Sequence, residues 1–274
     1  MRPDWHTLSQ AERDASYDNN RAVANSASLI EERNKASAEF RAVHAGHLDV
    51  PYGPKDRMKF DLYPAKDSNA PCLVFIHGGY WQRNRREDFA AFAAGVMAHG
   101  WSVAMLGYSL APEATLAEIV AEINQSLTWL ATQGDNHGLA NGPIIVSGWS
   151  AGGHLTAMTL AHPAVVAGVA ISGVFDLAPI RETYLNDKLR LSDRDVADLS
   201  PLKLPPVPKP LLLTYGTSEL QALISDSRDL HASRSAAHAP GALLPIPRAD
   251  HFTILQQLQS ADSALVGHIL RVSH

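Results

Sequence analysis

Residues 143–158 read PIIVSGWSAGGHLTAM. A β-branched apolar run leads into Gly148-Trp149-Ser150-Ala151-Gly152, a G-x-S-x-G pentapeptide, and small residues with helical spacing lead out. The pentapeptide alone recurs by chance, but strand, sharp turn and helix together form the setting of a nucleophile elbow. A serine on so tight a turn needs neighbours with almost no side chain, which Gly148 and Gly152 supply. Ala151 and Gly153 let main chain approach a substrate, and the helix that starts here points its partial positive charge at the serine. Ser150 is therefore the candidate nucleophile.

Outward from the elbow, apolar runs alternate with amphipathic ones. CLVFIHG (72–78) and WSVAMLGY (101–108) are continuous apolar runs, as expected of strands buried on both faces of a parallel sheet. VAGVAISG (166–173), LLLTYG (211–216) and GALLPI (241–246) read as further strands, and MKFDLYPA (58–65) alternates with period two, suiting an outer strand. Between them, residues 86–100, 112–134, 151–162 and 222–238 have helical spacing, strongest where Leu116, Ile119, Ile123, Leu127 and Leu130 share one face. Residues 252–274 read as one closing helix. This β–α order predicts the α/β class, with a mostly parallel central sheet covered by helices on both faces.

Two stretches break the alternation. Residues 1–45 form a helical N-terminal extension, and residues 175–208 make a long, proline-rich connection inside the 46–274 domain. Each is a candidate lid as well as a candidate packing element.

The order of the elements then selects the other catalytic candidates. HGGYW (77–81) closes a buried strand with two glycines and two large aromatics. Acyl transfer turns a carbonyl oxygen into an oxyanion, which needs preorganised N–H donors from such a loop and from the residue after the nucleophile. Gly78, Gly79, Tyr80 and Ala151 are the oxyanion-hole candidates, and Trp81, Trp149 and Phe252 the candidate pocket walls. A serine hydroxyl also needs an imidazole to take its proton. Of 13 histidines, His251 alone follows the last strand and precedes the final helical stretch. His77 and His154 read as structural, and His231, His238 and His268 lie on predicted helices. The acid belongs after the next-to-last strand, where Glu219 stands, with Asp176 after the preceding strand as its rival. Asp226 and Asp229 read as surface-facing helix residues.

Composition narrows the function further. The 274 residues carry a formal net charge of −5 with both signs scattered and no basic cluster, which disfavours nucleic-acid and membrane partners. The single cysteine, Cys72, excludes an internal disulfide, reads as a buried hydrophobe and fits a reducing, cytoplasmic setting. No leader pattern and no long apolar run stands out. HExxH, P-loop and dinucleotide fingerprints are missing, so no metal or cofactor is expected. A small-molecule substrate is expected, with a homodimer as the candidate assembly.

HGGYW at 77–81 and GWSAGGHL at 148–155 resemble the kynurenine formamidase (arylformamidase) family of α/β hydrolases, as do YSLAPEATLAEI (108–119), YGTSEL (215–220) and YDNNRAV (17–23). The resemblance spans nearly the whole chain. It implies a serine hydrolase that cleaves N-formyl-L-kynurenine to kynurenine and formate without a metal. It maps Ser150 as nucleophile, Glu219 as acid, His251 as base and the HGGYW loop as oxyanion hole. Glutamate stands where many members of that family have aspartate.

Overall fold

A computed structural model describes residues 5–139 and 141–272; residues 1–4 of the N-terminal extension lie outside the described residues. Eight strands form one sheet in the order β1-β2-β4-β3-β5-β6-β7-β8. They are β1 (His47–Pro51), β2 (Lys59–Tyr63), β3 (Cys72–Ile76), β4 (Ser102–Leu106), β5 (Ile144–Trp149), β6 (Val165–Ile171), β7 (Leu211–Gly216) and β8 (Gly241–Ile246). β3 to β8 run parallel, while β2 is antiparallel to both β1 and β4. β3, β4, β5 and β7 are buried at every position, as their unbroken apolar runs require.

Helices cover both faces. Ile119, Ile123, Leu127 and Leu130 of helix Leu116–Gln133 pack into one apolar cluster with Val74, Ile76 and Val146. Leu265, Val266 and Ile269 of helix Ala264–Arg271 pack into the other with Leu73, Phe75 and Ile145. Alternate residues of β3 and β5 thus feed opposite cores, the period-two signature of a strand covered on both sides.

Two expectations are corrected. β2 is not the outer strand, because β1 pairs beyond it, Val50 opposite Phe60. Asp61 of β2 is buried: Arg41 Nε lies 2.8 Å from its Oδ2 and Arg86 Nε 3.1 Å from its Oδ1. Two guanidinium groups compensate the buried charge. The closing helix is two pieces, a 3₁₀ stretch Thr253–Leu258 and helix Ala264–Arg271, the second capped by Ser263 receiving Val266 N–H at 3.0 Å. None of the helices among the described residues is long and apolar enough to cross a membrane.

Candidate active site

Ser150 sits between β5 and helix Ala151–Thr159 with φ 58° and ψ −118°, a conformation that L-residues avoid. Its own N–H donates to Ile171 O at 2.8 Å, so β6 holds the strained turn in place. The flanking glycines are a packing requirement. A Cβ on Gly148 would lie 2.3 Å from the Gly152 carbonyl oxygen, and one on Gly152 would lie 2.0 Å from Ile76 O.

The HGGYW loop is strained in the same sense. Gly79, Tyr80 and Trp81 have φ of 119°, 50° and 58°, three consecutive residues on the left-handed side. The preceding turn is fixed from inside. His77 Nδ1 donates to Gly78 O at 2.9 Å, Asn84 Nδ2 donates to the same oxygen at 3.0 Å, and Tyr108 Oη donates to His77 O at 2.8 Å. The His77 ring stacks on Tyr108 at 4.3 Å, and burial pushes its pKa down to about 3. It is a neutral clamp, as expected, and so is His154, whose Nε2 donates to Leu199 O at 2.7 Å and whose pKa burial lowers to about 4. Gly78 contributes closeness: a Cβ there would lie 2.6 Å from Trp149 Cε3 and 2.9 Å from Ser150 Cβ. Among the described residues, the N–H groups of Gly79, Tyr80 and Ala151 find no protein acceptor, leaving three donors beside the serine.

His251 follows β8 on a loop set by its neighbours. Asp250 Oδ1 accepts from Phe252 N at 2.8 Å and Thr253 N at 2.9 Å, and Thr253 Oγ1 accepts from Asp250 N at 2.9 Å. His251 Nδ1 lies 3.0 Å from Glu219 Oε2, so it carries the proton on that side. The other Glu219 oxygen, Oε1, accepts from Ser172 Oγ and from Gly216 N, both at 2.6 Å. Its side chain has no exposed surface. The rival Asp176 instead caps helix Leu177–Arg181, accepting from Ala178 N at 3.0 Å, with Lys203 3.8 Å away. Asp226 is buried rather than surface-facing and accepts from Phe175 N at 2.5 Å, tying the start of the long connection to helix Gln221–Ala236.

Ser150, His251, Trp149, Phe252, Gly79 and Tyr80 line one cavity of about 150 Å³. Trp149 also ties the turn of Ser150 to the loop of His251: its Nε1 donates to His251 O at 2.8 Å and its ring lies 4.7 Å from the imidazole. Trp81 is corrected as a pocket wall. It is fully buried and turned edge-on to His154 at 5.0 Å, so its indole belongs to the core.

Both irregular segments close over this cavity. Tyr17, Asp18, Asn19, Ile30 and Arg33 of the N-terminal extension line it, and so does Tyr184 of the 175–208 connection. Tyr80 Oη donates to Tyr17 O at 2.7 Å and accepts from Asn19 Nδ2 at 2.9 Å, which clips the extension onto the HGGYW loop. Glu182 accepts from Trp5 Nε1 and from Arg13 Nη1, each at 2.9 Å, joining the two segments. Beyond Tyr17 lies a larger apolar cavity of about 550 Å³ that is lined by the rival Asp176 but by none of Ser150, Glu219 and His251. Ser172 and the lining residues of the extension were not legible in advance. The one local signal at Ser172 is its position just after a buried strand, where φ is 51°. No group of three metal-ligating side chains is spaced to hold an ion among the described residues.

Known proteins share this architecture. A crystal structure assigned as a thioesterase, from Silicibacter sp. tm1040, superposes with a TM-score of 0.84 at 29% identity, covering 94% of this chain and 99% of that one. A kynurenine formamidase of Salmo salar is 28% identical over 82% of this chain and 81% of its own length. The chain belongs to the α/β-hydrolase superfamily. Within it, this hydrolase is related to kynurenine formamidases along its whole length: that of Danio rerio is 25% identical over 98% of both chains. The BD-FAE family matches residues 60–166, the stretch that carries the HGGYW loop and the elbow.

Proposed function

We propose that this α/β hydrolase is a serine hydrolase that cleaves a small aryl formamide such as N-formyl-L-kynurenine. The carrying observation is the Glu219–His251 contact opening on the cavity that Ser150 lines. On this reading His251 Nε2 takes the Ser150 hydroxyl proton as Oγ attacks the formyl carbon. The oxyanion is met by N–H groups of the HGGYW loop and of Ala151. Collapse breaks the C–N bond, and His251 returns the proton to the departing aryl amine. Water, deprotonated by the same imidazole, then releases formate from Ser150. A cavity of about 150 Å³ suits a very small acyl group, and the full-length likeness to kynurenine formamidases supports the same substrate class. Residues 1–45 and 175–208 serve as the lid, and the cytoplasm is the proposed setting.

Fluorophosphonate labelling tests the nucleophile: the label is expected on Ser150, and Ser150→Ala should lose both the label and roughly 10⁴–10⁶ of kcat. An unlabelled wild-type protein would remove the serine mechanism. Turnover of N-formylkynurenine beside short-chain p-nitrophenyl esters tests the substrate. The second reading, a carboxylesterase of other specificity, is favoured by the thioesterase assignment of the Silicibacter structure, and strong ester turnover with none on the formamide would establish it.

A further inference from the structure

Arg33, on helix Ser26–Val43 of the N-terminal extension, is 8% exposed. Its Nε and Nη2 both donate to Asn34 Oδ1, at 3.0 and 2.8 Å, and the guanidinium carbon lies 4.2 Å from the centre of the Phe89 ring. Neither partner carries a charge. No carboxylate lies within ion-pair distance of it among the described residues. The neighbouring acids are engaged elsewhere: Asp88 pairs with Arg85 at 3.1 Å, Asp18 caps Arg21 N at 3.0 Å, and Glu32 accepts from Ser28 Oγ at 2.8 Å. Nη1 donates to no protein atom among the described residues. A buried cation with no carboxylate in direct contact is costly, and burial, partly offset by the field of Asp88, holds this guanidinium down to about 10.

Position gives this charge a use. Arg33 lines the cavity of Ser150 and His251, and it also lines an adjoining cavity of about 150 Å³. The two cavities share Ile30, Arg33 and Phe252. A substrate whose carbonyl sits at Ser150 and whose far end extends past Ile30 and Phe252 therefore meets a forked cation.

We propose that Arg33 is a substrate-recognition residue that selects a carboxylate on the part of the substrate remote from the bond that breaks. The inference rests on the hydrolase reading above and narrows its substrate class to carboxylate-bearing molecules; the amino-acid tail of N-formylkynurenine carries such a group. The planar fork matches a carboxylate in two parallel hydrogen bonds, which an ammonium does not reproduce.

The test compares kcat/KM on two matched pairs, each with one carboxylate-bearing and one neutral member. The pairs are N-formyl-L-kynurenine with formanilide, and 3-(acetoxyphenyl)propionate with phenyl acetate. The wild-type enzyme should prefer the carboxylate-bearing member. Arg33→Met should lower the ratio of carboxylate-bearing to carboxylate-free substrate about 10- to 100-fold, mainly through KM, as loss of a charge-assisted hydrogen bond predicts. Arg33→Lys should lose less. A ratio that stays constant, including one in which both members fall together, overturns the proposal, because a purely structural arginine would act in that way. Charge preference on the esters with no formamide turnover would sink the formamide reading and leave Arg33 in place. Formamide turnover without charge preference would do the reverse. Binding of the inert anion 3-phenylpropionate, read by thermal shift, gives a result free of turnover: equal affinity in wild type and Arg33→Met overturns the proposal.

Discussion

Glu219→Gln puts the proposed relay under its sharpest test. The Glu219 carboxylate is fully enclosed and faces three donors: Ser172 Oγ and Gly216 N on one oxygen, His251 Nδ1 on the other. An amide of the same shape has one acceptor and one NH₂ group. If its oxygen keeps Ser172 and Gly216, the NH₂ faces His251 Nδ1. The imidazole must then present a lone pair there and carry its proton on Nε2, where it cannot accept from Ser150. If the amide turns over, the NH₂ opposes the Gly216 N–H, which cannot reorient, at a cost of ~1–3 kcal/mol for a buried unpaired donor. Activity survives only through that second arrangement, which also lacks the charge that supports the imidazolium, worth a further ~1.5–3 kcal/mol. The sum, about 3–6 kcal/mol, corresponds to roughly 10²–10⁴ in kcat. Steady-state kinetics on a p-nitrophenyl ester and an aryl formamide, with a thermal melt to show the fold persists, measures it. Asp176→Asn, which disturbs only a helix cap, should stay close to wild type on both substrates. A Glu219→Gln enzyme within tenfold of wild type would refute the relay, the more so if Asp176→Asn lost activity.

Three other outcomes follow from the same geometry. Ser172→Ala removes the 2.6 Å bond that orients Glu219 and should lower kcat about tenfold with little change in KM; a change confined to KM would assign Ser172 another role. Gly78→Ala drives a Cβ to within 2.6 Å of Trp149 Cε3 and 2.7 Å of Trp149 O, and should cost more than ~10² in kcat by displacing the oxyanion loop; an active variant would mean that this loop yields freely. His77 and His154 are held neutral, near 3 and 4 against an ordinary value of 6.5, so below pH 6.5 the unfolded chain binds protons that the folded one refuses. Stability should be full above that pH and fall as pH drops toward 4, by ~3 kcal/mol per residue. Urea midpoints at pH 7 and pH 4 measure the fall, and His154→Gln should flatten the slope; an unchanged slope would show that His154 takes up its proton while folded.

Unbroken apolar runs announced β3, β4, β5 and β7 because a strand covered on both faces has no polar side to show. The elbow and the HGGYW loop were equally plain, since positive φ and contacts below 3 Å admit few residue types. His251 and Glu219 could be chosen because in a parallel sheet the loops after successive strands gather at one edge. What lay beyond the sequence is contact between segments far apart along the chain. Strand β1, HLDVP, has no apolar pattern of its own and exists because β2 offers it an edge. Ser172 meets Glu219 across 47 residues, and Asn19 meets Tyr80 across 61. Trp81 turned inward and Asp226 was buried for the same reason: periodicity reports how a segment is covered, whereas the partner that covers it is decided by the closing of the whole chain. The tertiary structure alone brought Arg33, more than a hundred residues before Ser150, to the wall of the same cavity.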